Sequence, residues 1–259
     1  MLKRYRLMYV LLTLILLAIP TISKAIAKEV SIAVYEYSPF IGPKLDRGGI
    51  IIELVETIFK HAGYETRRVT MPLARAIATS KNAGLDVIPG LWRSPELEQQ
   101  FLYGKRSLLT TPLGLYKKRA NDVLLDQDNS GRITVAIPRG YSYTSENDLS
   151  HLYHVSVNSD LQALKLVLKG RVKFALTSLE VAKHLFMENL HLSETHLELT
   201  SPLVGVRGFY IGISHQHPNG KRLLDDYERS FSELFSRGLL QQIVQRWRLT
   251  VKAPISKSR

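Results

Sequence analysis

The feature that most restricts this chain is an alternation of strand and helix signals that runs twice and is interrupted by two long extended stretches. In the first run, "VSIAVYEY" (30–37) reads as a buried strand ending in aromatics. "GGIIIELVETIFKHAG" (48–63) has apolar residues at helical spacing and stops at Gly63. "YETRRVTM" (64–71) is a second strand, "PLARAIATSKNAG" (72–84) a helix opened by Pro72, and "LDVIPG" (85–90) a third strand. The second run has strands at 132–138, 154–157 and 172–178. Between them lie "GYSYTSENDLSHL", a turn entering a helix, and a helix over 158–170 capped by Asn158 or Ser159. The extended stretches are "LLTTPLGLYKK" (108–118) and "LVGVRGFYIGIS" (203–214), and two amphipathic helices close the chain.

Strands that alternate with helices pair in parallel through right-handed crossovers. The pattern therefore predicts an α/β, two-lobed fold: two mostly parallel sheets joined by a double-crossover hinge, with the ligand cleft between lobes. Lobe one is expected over 28–112 plus 208–250 and lobe two over 113–207, with 251–259 a disordered tail. Ligands of open parallel sheets sit beyond the carboxyl ends of the strands. Here those ends are Tyr35–Phe40, Gly90–Arg93, Gly140–Tyr143 and Thr177–Ser178, two from each lobe.

The first 27 residues read as a secretory signal. Lys3, Arg4 and Arg6 precede an apolar run from Leu7 to Ile19, and Ala25-Ile26-Ala27 supplies a small-residue cleavage site. The alternative, an uncleaved anchor, needs a longer apolar core. The chain has no cysteine, which excludes disulfides, thiolate metal sites and a lipid-modified cysteine. A released, non-lipidated product suits a Gram-negative periplasm. Four of the 35 basic residues and none of the 23 acidic ones fall in the signal, leaving +8 on the rest. These charges are interspersed, so a solvated basic surface is expected and no nucleic-acid partner.

Among cleft candidates, Trp92 and Arg93 end the third strand, where Arg93 suits an anionic ligand group and Trp92 an apolar wall. Arg75 lies one turn inside the helix opened by Pro72. Tyr37 follows the first strand as a stacking ring, and Glu36 points the opposite way. In lobe two, Gly140, Ser142 and Tyr143 precede a helix whose free amides suit an anion, with Ser142 equally suited to capping. Ser178 ends a strand at the cleft. The eight histidines form no tight set with acidic partners, so neither a metal nor another cofactor is expected. No nucleophile motif or phosphate loop is present, and no catalytic residue is assigned.

Five segments in order carry a resemblance: "YSPF" (37–40), "GGIIIELVETIFKHAG", "GLDVIPG", "LKGRVKFALTSLEVA" and "FSRGLLQQIVQRW". Over 29–249 the chain resembles family 3 extracellular solute-binding proteins, the periplasmic receptors of polar amino-acid ABC importers, with the periplasmic-binding-protein fold. In members that bind amino acids, the loop after the third strand reads approximately Thr-x-Glu-Arg, and its Arg clamps the ligand carboxylate. Matched through Asp86, Pro95-Glu96 and Phe101, that position is Leu97. The aspartate that takes the ligand ammonium matches Ser178, and the Gly-Arg-Val-Asp aspartate is Lys173. A Leu cannot replace the two-pronged grip of a guanidinium.

The resemblance implies a non-enzymatic, monomeric solute-binding protein. It would capture a small polar ligand, anions included, by hinge closure and deliver it to an ABC-transporter membrane component or a membrane sensor. The rival is an enzyme on the same scaffold, like the periplasmic cyclohexadienyl dehydratases, for which Glu36 and Glu180 are the cleft-edge carboxylates. A receptor fragment signalling to a kinase or cyclase is a third reading.

Overall fold

The computed structural model describes residues 28–119, 133–141, 149, 152–189, 196–247 and 249. The expected signal, the tail, and most of "GYSYTSENDLSHL" lie outside the described residues.

Strand β1 (Lys28–Val34) pairs in parallel with β2 (Tyr64–Thr70) along its whole length, and α1 (Ile50–His61) connects them. Helix α2 (Leu73–Lys81) leads to β3 (Ile88–Leu91), which is tied to β1 by a parallel bridge between Ile32 and Val87. The second run contains β6 (Thr134–Pro138), β7 (Tyr153–Val157), α4 (Asp160–Leu168), β8 (Phe174–Ser178) and α5 (Leu179–Glu188). Strand β6 pairs in parallel with both β7 and β8. Within each run the expected parallel pairing holds.

The two extended stretches become β5 (Leu109–Lys118) and β10 (Gly205–Ser214), ten residues each. At about 3.3 Å per residue such strands are long enough to serve both halves. Gly205 to Phe209 of β10 pair antiparallel with β5, whereas Tyr210 to Ser214 pair with β3 and β4 (Phe101–Tyr103). A register shift marks the change between Tyr210 and Ile211. Strand β5 likewise leaves β10 at Leu113 for β8 and β9 (Leu197–Leu199). Because both crossing strands are hydrogen-bonded on either side, they join the two halves in one curled, mixed sheet of order β3-β10-β5-β8-β6-β7, with β4 on β10 and β9 on β5, while β1 and β2 form a separate two-stranded sheet.

The short elements β4, β9 and α3 (Pro95–Glu98) were not expected, since three or four residues carry no periodic pattern. The first strand also ends sooner than expected. Tyr35 to Tyr37 leave β1 for a turn in which the Tyr37 amide donates to the Ile41 carbonyl (2.8 Å) and the Phe40 amide to the Tyr37 carbonyl (2.9 Å). Helix α1 begins against this turn, and Gly49 makes the approach possible. Its φ is +97°, and a Cβ there would lie 2.4 Å from the Phe40 carbonyl oxygen.

Two polar anchors lock the first half. The Asp86 carboxylate accepts from the Ser31 amide (2.7 Å) and hydroxyl (2.6 Å) and lies 2.8 Å from His217 Nε2. His217 is thus a structural partner. Glu53 in α1 accepts from Arg47 and Arg246 and from Trp247 Nε1 (2.6 Å), fastening the final helices, α6 (Gly220–Ser236) and α7 (Leu239–Arg246), at the α7 end.

Candidate ligand-binding site

The strand ends of both runs converge on one aromatic cluster. From the first half, the turn after β1 presents Tyr37, and Trp92 follows β3 directly; both are buried. The Trp92 carbonyl accepts from the Tyr103 hydroxyl at 2.9 Å, which fixes the loop. Ser94 then caps α3 by accepting from the Leu97 amide (3.3 Å), and this turns the Leu97 side chain inward. From the second half, β6 ends at Pro138, and Gly140 and Tyr141 reach across. A Cβ on Gly140 would lie 3.1 Å from Leu73 Cγ in α2.

The Tyr141 ring lies 4.8 Å from that of Trp92 and 5.6 Å from that of Tyr37, edge-on to the latter. Tyr37 and Trp92 are 6.4 Å apart, and Phe209 of β10 closes the floor 5.8 Å from Tyr37. These separations are those of aromatic pairs in direct contact. The space left between them is about 20 Å³, room for roughly one water. It is lined by Tyr35, Tyr37, Leu73, Leu91, Trp92, Leu97 and Tyr141 with the backbone at Gly90 and Gly140, and none of these carries a charge.

Behind the Tyr37 and Tyr141 rings sits Asp160, the first residue of α4, which is capped by Ser159. Asp160 is 6% exposed. One carboxylate oxygen accepts from the Tyr141 hydroxyl (2.5 Å) and the other from Thr177 Oγ1 (2.6 Å). Burial raises its pKa above the usual carboxylate range, and the two hydroxyl donors only partly oppose this. Burial, then the nearby Asp160 carboxylate, holds the Tyr37 phenol far above its ordinary pKa. The Ser178 and Tyr141 hydroxyls lie close enough to favour the ionised phenol slightly. Neither meets the geometry of a formed hydrogen bond, so the buried Tyr37 hydroxyl has no such partner among the described residues.

Of the residues selected from sequence, Tyr37, Trp92 and Ser178 come together here. Ser178 is fully buried and caps α5 by accepting from the Val181 amide (3.2 Å). Arg93 does not line the cavity. Its guanidinium lies 5.2 Å from the Tyr103 ring and 4.7 Å from the Tyr210 ring, donates to the Gly104 carbonyl (2.9 Å) and pairs with Glu98 (3.1 Å). Arg75 is exposed, outside the cavity. Ser142 and Tyr143 lie outside the described residues. Glu36 is exposed and accepts from Ser38, and Glu180 lines a separate depression with Lys183. Among the described residues no three His, Asp or Glu side chains are grouped to hold a metal. Tyr141 and Asp160 were missed. The available signal was an acidic residue directly after a Ser cap, which reads equally as an ordinary first-turn carboxylate.

Two α/β lobes that meet at an aromatic cleft beneath paired crossing strands define the architecture of a periplasmic-binding-protein-like fold. The sequence matches the model for bacterial extracellular solute-binding proteins, family 3, over residues 30–250, and the chain belongs to that family. No curated protein matches it. Among solved structures, it is similar to a histidine kinase sensor domain with similarity to periplasmic binding proteins (TM-score 0.70, 17% identity, covering 88% of this chain and 98% of that one). It is also similar to the GluR0 ligand-binding core from Nostoc punctiforme in complex with L-glutamate (0.66, 16%, 85% and 99%). A third similar structure is an ancestral amino acid-binding protein, AncCDT-1, described as a precursor of cyclohexadienyl dehydratase (0.63, 16%, 85% and 94%). No helix among the described residues is long and apolar enough to cross a membrane.

Proposed function

We propose that this chain is an exported, monomeric binding protein that captures a small polar ligand between its lobes by hinge closure and hands it to an ABC importer or a membrane sensor. The observation that carries this reading is the contact of Tyr141, from the second run, with Tyr37 and Trp92 from the first. A ligand enters only if these rings part. The strands able to bend for that are β5 and β10, which exchange partners at Leu113 and Tyr210. On this reading the lobes are 28–112 plus 208–250, and 113–207. Arg93 then belongs to the hinge-side packing of lobe one.

The dehydratase-like reading loses its two sequence candidates, because neither Glu36 nor Glu180 is among the residues lining the cavity. The mature chain is expected to start at Lys28 in the periplasmic fraction, and N-terminal sequencing that returned Met1 would contradict export with cleavage. A thermal-shift screen over amino acids, diacids, sugars, amines and aromatic acids tests the binding function. A ligand at 100 times its Kd adds about 2.7 kcal/mol of stability. Mass spectrometry of each hit distinguishes binding from turnover.

A further inference from the structure

The chemistry of the ligand can be taken one step further, on the reading that this cleft is the ligand site. Asp160 is a buried carboxylate whose only side-chain hydrogen-bond donors among the described residues are two neutral hydroxyls, Tyr141 and Thr177. No Lys, Arg or His among the described residues pairs with it. Burying a carboxylate without a positive partner is unfavourable, so it holds a proton or accepts a cation. Asp160, Thr177 and Tyr141 all belong to the second run, so they form a preassembled unit facing Tyr37 and Trp92 of the first.

Two further observations converge. Among the described residues no cationic group lines the cavity, and Arg93 is engaged between Tyr103 and Tyr210. The Tyr37 hydroxyl, on a residue 4% exposed, has no partner in hydrogen-bond geometry and lies beside the same unit.

We propose that the cleft takes a small organic cation, an ammonium-bearing ligand held among the rings of Tyr37, Trp92 and Tyr141 with the Asp160 carboxylate as its counter-charge. Aromatic faces attract such cations through the ring quadrupole, most strongly where water is excluded. The ligand needs no carboxylate, which accords with Leu97 lining the cavity.

Calorimetric titration of the purified protein with tetramethylammonium, choline and butylammonium, with succinate and glucose as controls, tests this. At least one cation is expected to bind saturably and the controls not at all. Asp160→Asn and Trp92→Leu, on opposite lobes and checked by circular dichroism, should each weaken that binding more than tenfold. Binding of a control but of no cation overturns the inference while leaving the solute-binding function intact. Cation binding unchanged in both variants also overturns it. Absence of binding by every solute here and in the broader screen defeats both the inference and the proposed function. Should either variant misfold, the selectivity of the unmodified protein between cations and controls still decides.

Discussion

Glu53 and Asp160 are almost equally inaccessible, at 7% and 6% exposure, yet their surroundings treat them in opposite ways. Glu53 is met by two guanidinium groups and an indole N–H, and although burial works against it these donors hold its pKa below the usual range. Asp160 is met by two hydroxyls, and burial prevails. Glu53 joins the ends of the chain within one half of the molecule, where a permanent partner serves stability. Asp160 lies against the contact between halves, and among the described residues no cationic side chain meets it. A buried carboxylate paired internally is a fastening; one left without a cation is available to a ligand.

This contrast can be broken by mutation. Glu53→Gln should lower stability by about 2 kcal/mol in urea unfolding, the range for hydrogen bonds to a charged group. The loss is no larger because Arg47 and Arg246 are half-exposed and regain water when released. A loss below about 0.5 kcal/mol would show that the cluster is not a fastening.

The pH dependence should separate the two sites by sign. Glu53 has a depressed folded pKa, so its stabilisation is present above about pH 4.3, the unfolded value, and is lost as pH falls through the folded value. Asp160 has a raised folded pKa, so the folded state binds its proton more tightly. Its contribution therefore declines as pH rises from about 3.9 through that raised value. Relative to the unmodified protein, Glu53→Gln should recover on acidification, whereas Asp160→Asn should become relatively more stable as pH rises. Parallel slopes for the two variants would erase the distinction.

Arg93→Ala should cost about 1 kcal/mol, from partly exposed cation–π contacts with Tyr103 and Tyr210 and the bond to Gly104. It should leave the Kd for a cleft ligand within about threefold, in keeping with its place outside the lining. A loss of binding without a loss of stability would return Arg93 to the site. The smallest effect is expected at Asp160. Asp160→Asn should change stability at neutral pH by less than about 1 kcal/mol, because an amide can still engage both hydroxyls. A loss of 3 kcal/mol or more would make Asp160 a fastening like Glu53.

Much of the architecture was legible. Apolar spacing located α1, α2, α4 and the final helices, and the two ten-residue extended stretches announced the crossing strands. Tyr37 and Trp92 were legible as cleft residues because strand ends face ligands in this class of sheet. Arg93 was legible only as an arginine near a strand end. Whether such a side chain turns to the cleft or packs on neighbouring rings depends on Tyr103 and Tyr210, and Tyr210 is more than 100 residues distant.

By itself the sequence determined the order of the long strands and helices and the double crossover, which are written in local periodicity. Through the family resemblance it also put Leu97 where a carboxylate-clamping Arg is expected. The tertiary structure alone decided that Asp160, a first-turn acid indistinguishable from a solvated one, is buried against Tyr141 and Thr177 and beside Tyr37. A carboxylate's environment is set by what the fold brings within a few ångströms, and those neighbours come from a turn, two strand ends and a helix start spread over 140 positions.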